Sequence, residues 1–249
     1  MAWVETSSRS FVARHDSDKR DAARGVLEQL EEFRATLAEV FEHTPDGVSV
    51  IIHPSPAMLA LAAPWLPFAR AVSAPAGRRY LAGWFAAEEI HVLSPAALER
   101  RASNVAGSRE ALLLSARHEY AHLVLGANNP SLPPPFSPAA FRRYVRAAWL
   151  CEGAAAYLAG QVPHMRAAIA RRMHEGAQPA LPPPARDAWI LGGSVYGLLD
   201  RERGRAACLE LARTPASLGG REAIEGAFER PLAAVERSWV DYLASLTMR

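Results

Sequence analysis

The sequence predicts an α+β protein, with a small mixed sheet in its front half and a mainly helical back half. Three observations carry this reading. Short apolar alternations and one β-branched run all lie before residue 94. Helical periodicity dominates after residue 108. A proline-rich stretch at 126–138 separates the two textures. The expected organisation is a front α/β lobe over 1–126 and a helical lobe over 127–249.

The elements follow in order. Residues 3–14 alternate as strand does. From Asp18 to Glu42, Val26, Leu27, Leu30, Phe33, Leu37, Val40 and Phe41 recur every three or four positions, which predicts an amphipathic helix. The Thr44–Gly47 segment reads as a turn. Val48 to His53 is a buried-strand candidate, closed by Pro54 and Pro56, and a short helix is expected at 56–63. Tyr80 to Phe85 and Glu89 to Leu93 read as two further strands, the second ended by Ser94-Pro95. Residues 108–125 predict one helix, with Gly126 where a C-cap belongs. A second helix is expected over 139–160. Helices at 188–203, 205–212, 220–227 and 231–246 follow another proline-rich loop at 179–187. No internal repeat is present.

Composition narrows the function classes. Half of the 249 residues are apolar and 22% are charged, enough for an ordinary core. A formal net charge of +2 gives no basis for nucleic-acid binding. Two isolated cysteines, Cys151 and Cys208, make neither a disulfide framework nor a thiolate zinc site. No apolar run reaches the ~20 residues of a membrane span. The first 30 residues lack the apolar core of a secretory signal. The expectation is a soluble cytoplasmic protein, or a secreted one already trimmed.

Residues 118–122 read His-Glu-Tyr-Ala-His. Two histidines at i and i+4 share one helix face, so both imidazoles can reach one metal ion. Glu119 is one position on, beside that face, where it can act on water without being a ligand. This pattern suits zinc hydrolysis, with Glu119 as general base. The competing reading is a pair of satisfied core histidines.

A catalytic zinc needs a third protein ligand and an open fourth position. Glu152 is the candidate. It is the only acidic residue between Glu119 and Glu175, and it sits among Leu150, Ala154, Ala155, Ala156 and Leu158. A carboxylate buried there is costly unless paired or metal-bound. An ion pair with Arg142, Arg143 or Arg146 is the alternative. Gly153 would let another backbone approach closely.

His-Glu-x-x-His, a proline-rich gap, then Trp-Leu-x-Glu-Gly-x-Ala-x-Tyr resembles the peptidase MA-like group of gluzincins. The resemblance covers roughly residues 80–246. It implies a zincin-like fold, with a small sheet under the His-Glu-x-x-His helix and a helical lobe supplying the glutamate. It implies a zinc metallopeptidase with His118, His122 and Glu152 as ligands, Glu119 as base and a peptide or protein as substrate. It also implies an edge strand, here Glu89 to Leu93, that binds an extended peptide. Two features of related proteins are missing. Ala156 stands where thermolysin-like enzymes carry an acid, and the aminopeptidases' Gly-x-Met-x-Asn motif is absent.

By the same resemblance Tyr196 is the candidate for stabilising an oxyanion, against a plain core role. His164 and His174 read as surface residues, and Trp149 and Tyr157 as core. Cys151 is expected to point away as a small buried hydrophobe. Two other function classes stay open. One is a zinc-bearing binding or regulatory domain with little turnover. The other is a structural helical protein whose motif is coincidental.

Overall fold

In the computed structural model, residues 2–133, 138–215 and 218–247 are described. The middle of the first proline-rich stretch, residues 134–137, lies outside them.

The front of the chain builds a five-stranded mixed sheet in the order β1-β2-β3-β5-β4. The 3–14 segment resolves into a hairpin, β1 (Trp3–Ser7) and β2 (Phe11–Asp16). The amphipathic helix α1 (Arg20–Ala38) buries Leu27, Leu30, Phe33 and Leu37. It carries the chain to β3 (Val48–His53), parallel to β2. Such a crossover needs a helix, because parallel neighbours cannot be joined by a tight turn. Next come α2 (Pro56–Ala62) and α3 (Leu66–Val72), the latter not anticipated from periodicity. Then β4 (Gly83–Phe85) and β5 (Glu89–Leu93) form a second hairpin.

One expectation is corrected here. The Glu89–Leu93 strand pairs with β3 on one side and β4 on the other, so it is interior. The edge strands are β1 and β4. The alternation of Glu-Ile-His-Val-Leu does not distinguish an edge from an interior strand, because both can have one face wet.

After α4 (Pro95–Arg101), the expected single helix at 108–125 is two, α5 (Ser108–Leu113) and α6 (Ser115–Asn128). Leu114 leaves helical dihedrals, and the Ser115 hydroxyl takes the Leu112 carbonyl. Gly126 is not a C-cap. The helix continues to Asn128, whose side chain donates to the carbonyls of Val124 and His43. Likewise 139–160 is α7 (Pro138–Arg146) and α8 (Ala148–Leu158), broken at Ala147.

The helical half closes with α9 (Arg166–Met173), α10 (Ala188–Arg213), α11 (Gly220–Phe228) and α12 (Leu232–Thr247). The two helices expected at 188–203 and 205–212 are both present within α10, joined across a kink at Gly204, whose φ of 80° and ψ of 175° are not helical. Among the described residues, no helix is long and apolar enough to cross a membrane. One hydrophobic core runs through both halves, from Phe11 to Leu243.

Two packing features position the site. Tyr120, inside the His-Glu-x-x-His motif, points into the core against Phe11 and Phe33, and its hydroxyl donates to the Pro45 carbonyl. That turns the neighbouring positions of α6 away from the sheet core. Second, α8 crosses α10 at glycines. A Cβ on Gly153 would stand 2.6 Å from the Gly192 carbonyl oxygen, and one on Gly192 would stand 2.8 Å from that of Trp149. Gly153 does admit a close backbone, and the backbone is that of α10.

Candidate metal centre

His118 and His122 lie one turn apart on α6, and Glu152 faces them from α8. All three are buried. His118 Nε2 is 3.1 Å from Glu152 Oε2 and 3.1 Å from His122 Nε2. His122 Nε2 is 3.5 Å from Glu152 Oε1. Two ligands ~2.1 Å from one tetrahedral ion lie about 3.4 Å apart. The donor atoms stand within about 0.3 Å of that spacing, so this group could hold a metal ion. None of Arg142, Arg143 and Arg146 pairs with Glu152. Its partners are the two histidines and the Tyr144 hydroxyl.

The orientation of each histidine has a visible cause. His118 Nδ1 is 2.8 Å from Gln161 Oε1. The Gln161 amide nitrogen donates to the Ala111 carbonyl at 2.8 Å, so its oxygen must face His118. His118 therefore donates from Nδ1 and presents Nε2 to the site, as a ligand histidine should. The His122 ring stacks on Phe85 of β4, 4.2 Å between centroids and 16° apart. Its Nδ1 lies 3.3 Å from Cys151 Sγ. Cys151 is buried as expected, but it touches a candidate ligand instead of pointing away.

Electrostatics ties the cluster together. Burial alone would raise the Glu152 carboxyl, but the pull of His122 and His118 outweighs it and holds the group well below the carboxylate range. Burial opposes a charge on His118 as well, yet its bond to Glu152 raises its pKa. His122 is lowered, by burial first. Glu119 is pushed up to about 8, again mainly by burial and then by Glu152, with His118 acting against.

Glu119 lies beside the donors and not among them. Gly83 on edge strand β4 covers it, and a Cβ there would be 2.4 Å from Glu119 Oε1. The cleft over this group is lined by His118, Glu119, His122, Glu152 and Tyr144, with Trp65, Trp84 and Trp189 among its apolar walls.

Tyr196 is elsewhere. It is fully buried on α10, its hydroxyl donates to the Leu150 carbonyl at 3.3 Å, and its ring stacks on Tyr157. It does not line the cleft, which returns it to the core role. Trp149 is also core, and His174 is exposed. Gln161 and Tyr144 were not singled out from sequence. The only trace of Gln161 is a polar residue just past an apolar helix. Tyr144 sits unmarked among arginines.

Comparison of the chain with protein-family models, curated proteins and solved structures finds no match.

Proposed function

We propose that this chain is a zinc-dependent peptide-bond hydrolase of the gluzincin type, zincin-like in fold. One observation carries the reading. Three buried donors on two helices, two imidazoles and a carboxylate, stand close to tetrahedral spacing, and a second carboxylate, Glu119, opens beside them into the same cleft.

The residues fit zinc because two imidazoles and a carboxylate are one of its usual catalytic donor sets. When bound, the ion supplies Lewis acidity, polarising a substrate carbonyl and lowering the pKa of water. Glu119 then takes the proton from the attacking water and returns it to the leaving amine. Gln161 fixes the tautomer of His118, and Phe85 fixes the plane of His122. Tyr144 is a tyrosine that touches the donor group from the cleft wall, so it takes the oxyanion role first considered for Tyr196. β4, not β5, is the edge strand that lines the cleft, and it offers its free edge to an extended peptide.

A second reading, a zinc-bearing binding domain, draws on the narrowness of the cleft. The space open to water there is about 20 Å³, room for roughly one water.

One experiment separates these readings. Wild-type protein and Glu119→Gln are assayed for zinc content and for digestion of a peptide library. A hydrolase holds about one zinc in both forms and cuts only as wild type. A binding domain holds zinc and cuts nothing in either. Failure to take up zinc in titration at neutral pH overturns both.

A further inference from the structure

The helix pair α2–α3 has two dissimilar faces. Inward, Leu59, Ala63 and Leu66 pack into a small hydrophobic cluster with Leu81, Leu93 and Leu98. Trp65, Leu66 and Ala69 also line the metal cleft. Outward, every exposed residue from 56 to 72 is Ala, Pro, Met, Leu, Phe or Val. Leu61 is 76% exposed, Phe68 68% and Val72 55%, with Met58 beside them. Single exposed apolar residues are ordinary. An outer face with no charged or hydrogen-bonding side chain over two helices is not.

The rim of this face is basic. Residues 47–87 contain Arg70, Arg78 and Arg79 and no acid. Arg78 lies at the end of α3, donating to the carbonyls of Ala71 and Ser73. Arg100 reaches the Pro54 carbonyl at the start of α2. Arg70 donates to Leu81, while Arg79 and Arg101 donate to each other's carbonyls. Backbone oxygens hold these guanidiniums in place without cancelling their charge. None of the five forms an ion pair with a carboxylate among the described residues, and nearby Glu99 is taken by Arg109. Arg101 shows the excess directly, pulled down to about 10 by burial and then by Arg70 and Arg79.

We infer that the outer face of α2–α3 docks on an anionic lipid surface, with Leu61 and Phe68 entering the acyl boundary and the arginines meeting the headgroups. An apolar stripe edged by cations is what a surface-lying helix presents to such a membrane. A protein partner with a purely apolar patch would leave the arginines unanswered. Docking this way places the metal cleft one helix thickness, about 10 Å, from the lipid. The inference stands independently of the hydrolase reading.

The test is sedimentation of the whole protein with vesicles. Phosphatidylcholine vesicles containing roughly one-third phosphatidylglycerol should carry the protein down, increasingly so as salt is lowered. Pure phosphatidylcholine should retain far less. The double variant Leu61→Asp, Phe68→Asp should lower partitioning at least about tenfold, the loss of one buried large side chain. Arg78→Gln and Arg100→Gln should each lower it about fivefold. These side chains face solvent, and circular dichroism checks that the fold is kept. No binding to anionic vesicles, equal binding to neutral ones, or full binding by the double variant each overturns the inference. So does a wild-type dimer that the double variant dissociates, since the face would then cover a second copy.

Discussion

Gln161→Leu is the sharpest test of how the site is held. The amide makes two hydrogen bonds of 2.8 Å, accepting from His118 Nδ1 and donating to the Ala111 carbonyl. Leucine fills most of the same volume and makes neither. Without the acceptor, His118 has no reason to keep its proton on Nδ1, and its ring loses an anchor. Loss of such a partner typically weakens metal affinity by about 10–100-fold, or roughly 1.4–2.7 kcal/mol. The fold should lose about 1 kcal/mol, the worth of an ordinary hydrogen bond. Gln161→Glu separates the two roles. It keeps an acceptor for His118 but places a carboxylate against the Ala111 carbonyl. It should bind zinc nearly as wild type while melting earlier. Zinc affinity would be read by competition with a chelating dye at pH 7, and stability by urea titration of the metal-free protein. Wild-type zinc affinity in Gln161→Leu would refute the claim that this amide orients the ligand.

Three further outcomes follow from the packing and electrostatics. Gly153→Ala should destabilise by about 1–3 kcal/mol, because its methyl meets the Gly192 carbonyl and forces α8 off α10; an unchanged urea midpoint would count against the close crossing. On the hydrolase proposed above, Tyr144→Phe should lower kcat by about 10²–10³ with zinc retained, while Tyr196→Phe should leave kcat alone; the reverse pattern in steady-state kinetics would restore Tyr196 to the reaction. His53 is held down to about 4, by burial and then by His91. The unfolded chain therefore binds the extra proton between about pH 6.5 and 4, so stability should fall as pH drops through that window, by at most about 3 kcal/mol. Thermal melts of wild type and His53→Phe across that window should diverge, and parallel curves would show that His53 is not responsible.

What the sequence disclosed is what sequence encodes locally. The i,i+4 histidines needed only helical geometry, and the helix around them is unmistakable. Glu152 stood out because one carboxylate in an alanine-rich helix has few inexpensive explanations. The sheet strands were legible from β-branched alternation, and β5 was placed to the residue. The pairing order was not, because nothing in Glu89–Leu93 says whether β3 and β4 take both of its edges or one. Helix breaks at Leu114 and Ala147 were invisible for a related reason. Both residues suit a helix, and packing sets their dihedrals. Gln161, Tyr144 and Cys151 act on residues 43, 8 and 29 positions away, through contacts that exist only once α6 and α7 have packed around α8. Tyr196, which chain order alone suggested, lies off the cleft. Which way its ring points depends on where α10 crosses α8.

That crossing also explains how so polar a cluster survives in an apolar helix. Glu152 and its neighbours on α8 are almost wholly out of water, and an unpaired carboxylate there would be costly. Its charge is met from two sides, by the His118–His122 face of α6 and by the Tyr144 hydroxyl of α7. Meeting it requires α6 and α8 to approach closely, and α8 can be held there only if α10 backs it without intervening side chains. Gly153 and Gly192 remove those side chains at the point of contact, and Ala154, Ala155 and Ala156 keep the rest of α8 thin. The small residues around Glu152 that first marked it as anomalous are thus the condition for its placement. A larger residue at Gly153 or Gly192 would enlarge the apolar core while prising the carboxylate from its histidines.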